Sequence, residues 1–101
     1  MVTIFKFQEP SYLPKVLQER YLEYFSGSDN RYTRRIVASH PNTPVHVLER
    51  LSQGIDMWVN INIAKNPSTP IHILEKLSKS DNLVVKRRAK ASLRNRNEAD
   101  I

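Results

Sequence analysis

The sequence predicts an all-α fold, a short array of stacked helix pairs, and three observations predict it. A sixteen-residue block occurs twice, at 37–52 (VASHPNTPVHVLERLS) and at 63–78 (IAKNPSTPIHILEKLS), with a constant offset of 26 and no gap. Nine of the sixteen pairs are identical and four more exchange Val for Ile or Arg for Lys. Self-similarity at a fixed period of roughly 20–50 residues marks a solenoid, because each unit buries its apolar face only against a neighbour. Each copy also places a Pro-x-Thr-Pro corner before leucines at helical spacing, and this corner ends one helix and begins the next. The chain has 101 residues, enough for one domain, with 40% hydrophobic and 26% charged residues, ordinary for a globular protein.

Residues 2–7 (VTIFKF) have strand-like composition, but one strand makes no sheet. Residues 1–10 are therefore expected to be an arm that packs on the body or pairs with another chain. In residues 11–27, Leu13, Val16, Leu17, Tyr21, Tyr24 and Phe25 recur at helical spacing and Gly27 is a stop signal. This segment shares no punctuation with the repeat, and a cap covering the first repeat's open apolar face is expected.

Repeat 1 spans 28–54 and repeat 2 spans 55–80. The upstream half of each is ambiguous. Residues 58–63 (WVNINI) alternate like a strand, whereas their counterparts 32–37 (YTRRIV) do not. Aligned copies share one structure, so both are read as helices, started by Asp29 and Asp56, with a short or 3₁₀-like turn in part of each. At the corner, Pro41 disfavours helix at His40, Thr43 is expected as N-cap and Pro44 at the first helical position. Val45, Leu48 and Leu51 then form the buried stripe with Val47 on its flank, and Thr69, Pro70, Ile71, Leu74 and Leu77 repeat this with Ile73 flanking. Gly54 is expected to close the first of these helices and Ser80-Asp81-Asn82 the second.

A third, weaker copy begins at Leu83-Val84-Val85, again 26 beyond Met57-Trp58-Val59, and departs where Ser92-Leu93 replaces Asn-Pro. Residues 81–96 are read as a terminal half-repeat and 97–101 as a tail. On a helix here, Val85, Ala89 and Leu93 form an apolar stripe, while Lys86, Arg87, Lys90 and Arg94 span about 100° of the outer face.

The two blocks resemble the leucine-rich repeat variant family: Val/Ile-Ala, then x-x-Pro-x-Thr-Pro, then x-x-x-Leu-x-x-Leu. The resemblance covers roughly residues 31–93. It implies pairs of short helices, α alternating with 3₁₀, stacked into a right-handed superhelix without β-sheet, similar in logic to HEAT and armadillo arrays. Two departures stand out. The joins at Gly54-Ile55-Asp56 and Ser80-Asp81-Asn82 are long for the family, and Asn60 stands where an arginine is common. A family relative joins such repeats to a cysteine-ligated iron–sulfur cluster. This chain has no cysteine, so no cofactor is expected.

Absence of cysteine also excludes disulfide scaffolds, thiolate metal sites and a cysteine nucleophile, and makes the cytoplasm the expected compartment. No apolar run approaches the ~18 residues of a membrane span, and the first ten residues meet charge and proline too early for a signal peptide. His46 and His72 recur, but equivalent residues on stacked helices lie ~8–10 Å apart, too far to share a metal. Glu49 and Glu75 read as solvated helix faces that bridge repeats. No serine–histidine–acid grouping or paired-carboxylate signature is present, so no enzymatic role is expected.

Sixteen Lys and Arg face ten Asp and Glu, net +6, and residues 79–101 hold seven of the bases. Arg31, Arg34 and Arg35 form one candidate cluster and Lys86, Arg87, Lys90 and Arg94 another, suited to an acidic partner. Tyr32 and Trp58 are expected in the core between repeats. The expected function is a non-catalytic interaction module presenting a surface to a protein partner or to a second copy of itself. The alternative is a nucleic-acid-binding module whose C-terminal helix contacts phosphates. Far-ultraviolet circular dichroism should show a helix-dominated spectrum, and a sheet-dominated one would overturn this reading.

Overall fold

The computed structural model describes residues 7–99, and all six elements are α-helices: α1 (Lys15–Phe25), α2 (Arg31–Ser39), α3 (Val45–Ser52), α4 (Met57–Lys65), α5 (Ile71–Leu77) and α6 (Leu83–Ala99). Among the described residues there is neither strand nor 3₁₀-helix, so the ambiguous 58–63 segment is plain α-helix. Residues 1–6 of the expected arm lie outside the described residues. Of its remainder, Phe7 packs its ring against Tyr21 and Phe25, with centroids 5.6 and 5.1 Å away.

The helices form two layers. α2 packs on α4 and α4 on α6, while α3 packs on α5 behind them. α1 packs on α2 and reaches α3 through Arg50, which donates to the Ser26 hydroxyl, and through His46, 3.2 Å from Glu23.

The 26-residue period runs further than the two obvious copies. Each helix of the first layer opens on a capping side chain at equivalent positions, Asn30, Asp56 and Asn82. Each Oδ1 accepts from the amides two and three residues on, at 2.8 and 3.4 Å, 2.9 and 3.2 Å, and 3.0 and 3.2 Å. Asn30, not Asp29, is therefore the starting residue of α2, and Asn82 opens α6 rather than closing α5. Gly54 does follow α3, its amide bonded to the Leu51 carbonyl without a left-handed backbone.

α1 also belongs to the period. Its end, LEYFS at 22–26, aligns with LERLS at 48–52 and LEKLS at 74–78. Leu22, Leu48 and Leu74 are all fully buried, and Ser26, Ser52 and Ser78 each donate to the carbonyl three residues back. The expectation that α1 is a different helix sharing no punctuation with the repeat is thus corrected at its C-terminal end. Its buried side chains are Gln18, Leu22 and Phe25, whereas Val16, Leu17 and Tyr24 lie in solvent. The same shift occurs in α3 and α5. Val47 and Ile73 are buried beside the leucines, and Val45 and Ile71 are exposed.

That corner differs from the sequence expectation. Pro44 and Pro70 are themselves the N-cap residues, their carbonyls accepting from Val47 and Leu48 and from Ile73 and Leu74. Fixed near φ −59° and −70°, they need no N–H there. Thr43 and Thr69 do not cap the following helix. Each hydroxyl donates backwards at 2.6 Å, to the carbonyls of Val37 and Ile63 at the ends of α2 and α4.

Asn66, 2% exposed, fastens repeat 2 to repeat 1. Its Nδ2 donates to the carbonyls of Ala38 and His40, both at 2.9 Å, and its Oδ1 accepts from the Ser68 amide. Ser92, one period later, donates to the Ala64 carbonyl at 2.6 Å. His40, one period earlier, accepts from the Asn42 amide on Nδ1, leaving Nε2 to donate to Glu9 at 2.6 Å. Replacing Asn66 with Ala strands buried carbonyls at two positions and an amide, and should cost about 2–4 kcal/mol. Ser92→Ala should cost about 1 kcal/mol. Urea unfolding of the two variants checks the order, and equal losses would remove Asn66 as the main tie between repeats.

Candidate functional site: the cationic layer

Charge is sorted between the two layers. Helices α2, α4 and α6 together hold ten Lys or Arg and one acidic residue, Glu98, whereas α1, α3 and α5 hold four bases and four acids. Every residue of the two candidate clusters lies in the first layer. Arg34 and Lys86 occupy equivalent positions two periods apart, as do Arg35 and Arg87. The repeat thus brings clusters separated by some fifty residues onto one layer, with two of their positions equivalent.

The individual side chains have different surroundings. Arg31 is exposed, its guanidinium 5.6 Å from the Tyr32 ring centre. Arg34 donates to the Ser28 carbonyl, the task Asn60 performs one period later on Gly54. It serves the loop as well as the surface, which also accounts for the tolerance of Asn60. Arg35 reaches into the next repeat. Its Nε lies 3.4 Å from Asp56 Oδ1, and its guanidinium stands 5.3 Å from the Tyr32 ring and 5.9 Å from that of Trp58. On α6, Val85 and Ala89 are buried and Leu93 packs against the core, so the apolar stripe is where the sequence places it. Arg87, Lys90 and Arg94 are exposed and Lys86 is half-buried.

Two features were missed. Tyr32 and Trp58, expected in the core, are 61% and 51% exposed. The core positions are one residue later, at Thr33, Val59 and Val85, because each capping residue sets the helix phase. Arg96 counts in the sequence reading only as part of the basic terminal half-repeat. It is half-buried, and its guanidinium donates to the carbonyls of Asn66, Pro67 and Thr69, bracing the second corner.

The histidines step between repeats of the other layer: His46 lies 3.2 Å from Glu23 and His72 4.0 Å from Glu49. Both pairs are more than half exposed and contribute little. Among the described residues no group of three or more His, Asp or Glu could hold a metal ion, and no helix is long and apolar enough to cross a membrane.

Residues 32–56 match the family model of the leucine rich repeat variant. The match runs from the first turn of α2 through the proline corner and α3 to the cap of α4, one full period of the array. Comparison with curated proteins and with solved structures gave no match.

Burial pushes the Asp56 carboxyl up, but the Val59 and Trp58 amides and the Arg35 guanidinium outweigh it and hold it below its ordinary 3.8. A lowered folded-state pKa means stability that is present above the unfolded value and lost as pH falls through the folded one. Asp56→Asn keeps the cap, as Asn30 and Asn82 show, and at neutral pH should cost under about 1 kcal/mol. Below pH 4 the wild type should lose stability more steeply than the variant. Parallel curves in urea titrations at several acid pH values would place the acid sensitivity elsewhere.

Proposed function

We propose that this chain, which carries a leucine rich repeat variant unit at residues 32–56, is a non-catalytic helical-repeat interaction module that presents its α2–α4–α6 layer to an acidic partner. The sorting of charge between layers carries the reading. Ten bases against one acid on a single layer produce a one-sided positive field, which steers and holds an acidic surface. Helical arrays suit this role because consecutive repeats offer equivalent positions along a continuous surface.

The same charges disfavour a second copy of the chain as partner through α6. Lys90 stands where the earlier repeats have the buried Ala38 and Ala64, and Arg87 where repeat 2 has the buried Ile61. Two such ends brought together would place like charges in contact. No catalytic step is proposed, since the working groups are guanidinium and ammonium ions suited to binding.

Chromatography on a polyanionic resin tests the layer. A variant with Lys86, Arg87, Lys90 and Arg94 changed to alanine should elute at clearly lower salt than the wild type. A variant with Lys15 and Lys76 changed to alanine, on the other layer, should shift far less. Equal elution of all three proteins would overturn the assignment.

A further inference from the structure

We infer that the acidic partner is single-stranded nucleic acid, its bases stacked on Tyr32 and Trp58 and its phosphates held by Arg31, Arg35 and Arg88. This inference rests on the cationic layer being the working face, and it names what that face binds.

The observation behind it is a pair of aromatic rings that stand outside the core, beside arginine guanidinium groups. Tyr32 and Trp58 occupy one position in consecutive repeats, two residues after the capping side chains, and both stand in solvent. Leaving a tryptophan half-exposed forgoes apolar burial that a core position would gain. Val84, at the position in α6 equivalent to Trp58, is also exposed, as is Ile36 one turn beyond Tyr32 on α2.

The rings are set among cations. Arg35 lies within 6 Å of both ring centres, and Asp56, itself committed to the α4 cap, orients it. The Arg31 guanidinium also stands by Tyr32, 5.6 Å from its ring centre. Arg88 is exposed one turn beyond Val84. Aromatic faces interleaved with guanidinium groups are what unstacked bases and their phosphates require, since every base has a π-face and every linkage a charge.

Geometry favours a single strand over a duplex. Packed helices lie ~8–10 Å apart, so one ring per repeat offers one stacking platform per nucleotide, the arrangement by which helical repeats take RNA one base at a time. In a duplex the base faces are already stacked and would reach neither ring. An acidic peptide would satisfy the cations but gives no reason for two solvent-facing aromatic rings in register.

Trp58 is the only tryptophan, so its fluorescence reports the site directly. Titration of the full chain with a ten-nucleotide oligouridylate at low salt should quench it saturably, and a hairpin duplex or polyglutamate should bind at least tenfold more weakly. By anisotropy of a labelled strand, Tyr32→Ala and Trp58→Ala should each weaken binding about 5- to 150-fold, the loss of one stacked base. Trp58→Phe should restore most of it, and both alanine variants should keep the wild-type circular dichroism because the side chains are exposed. Strand binding that ignores both alanine changes, or duplex or polyglutamate binding of equal strength, overturns the stacking inference while leaving the cationic layer in place. Failure to bind any of the three polyanions at low salt overturns both.

Discussion

Short helices leave backbone carbonyls without partners at their C-terminal ends, and the fold depends on the way these are satisfied from the next repeat. A helix of nine residues has four such carbonyls, nearly half of its backbone acceptors. Here the groups at the end of α2 are met by Thr43 and Asn66, and those at the end of α4 by Thr69 and Ser92. Arg96 takes the three carbonyls of the second corner. At each of these helix ends a donor comes from the following repeat. A single helix pair in isolation would bury unpaired carbonyls or expose its leucines to water, and neither is stable.

The architecture was legible in the sequence to the extent that residue identity repeats. Pro41, Thr43, Pro44, Leu48 and Leu51 recur unchanged one period later and mark the helix pair directly. Function at a position can persist while identity changes, and there the sequence was opaque. Asn30, Asp56 and Asn82 do one job with two residue types. Asn66 and Ser92 tie back to the preceding helix with an amide and a hydroxyl, donating to Ala38 and Ala64, whereas His40 shares with Asn66 the bond it accepts from the amide two residues on. α1 escaped notice for the same reason: Tyr24 and Phe25 replace Arg50 and Leu51 within an otherwise aligned LEYFS.

The candidate site was legible as charge and illegible as arrangement. The arginine and lysine clusters could be counted, and the period places them on one layer. Which aromatic residues face solvent depends on helix phase, and phase is fixed by the cap one or two residues upstream. Reading Asp29 in place of Asn30 as the cap turns α2 by about 100°, enough to exchange the places of Tyr32 and Thr33 between core and surface. Arg96 shows the converse, a surface-type residue drawn inward by carbonyls that no apolar pattern records.

Lys90 occupies the place that Ala38 and Ala64 hold in the earlier repeats, where a methyl group lets the following helix come close. The α6 face is therefore less suited than the α2 and α4 faces to receive a further unit. Duplication of an internal 26-residue segment would meet small side chains on both flanks, whereas a unit joined after α6 would have to accept an ammonium group in its core.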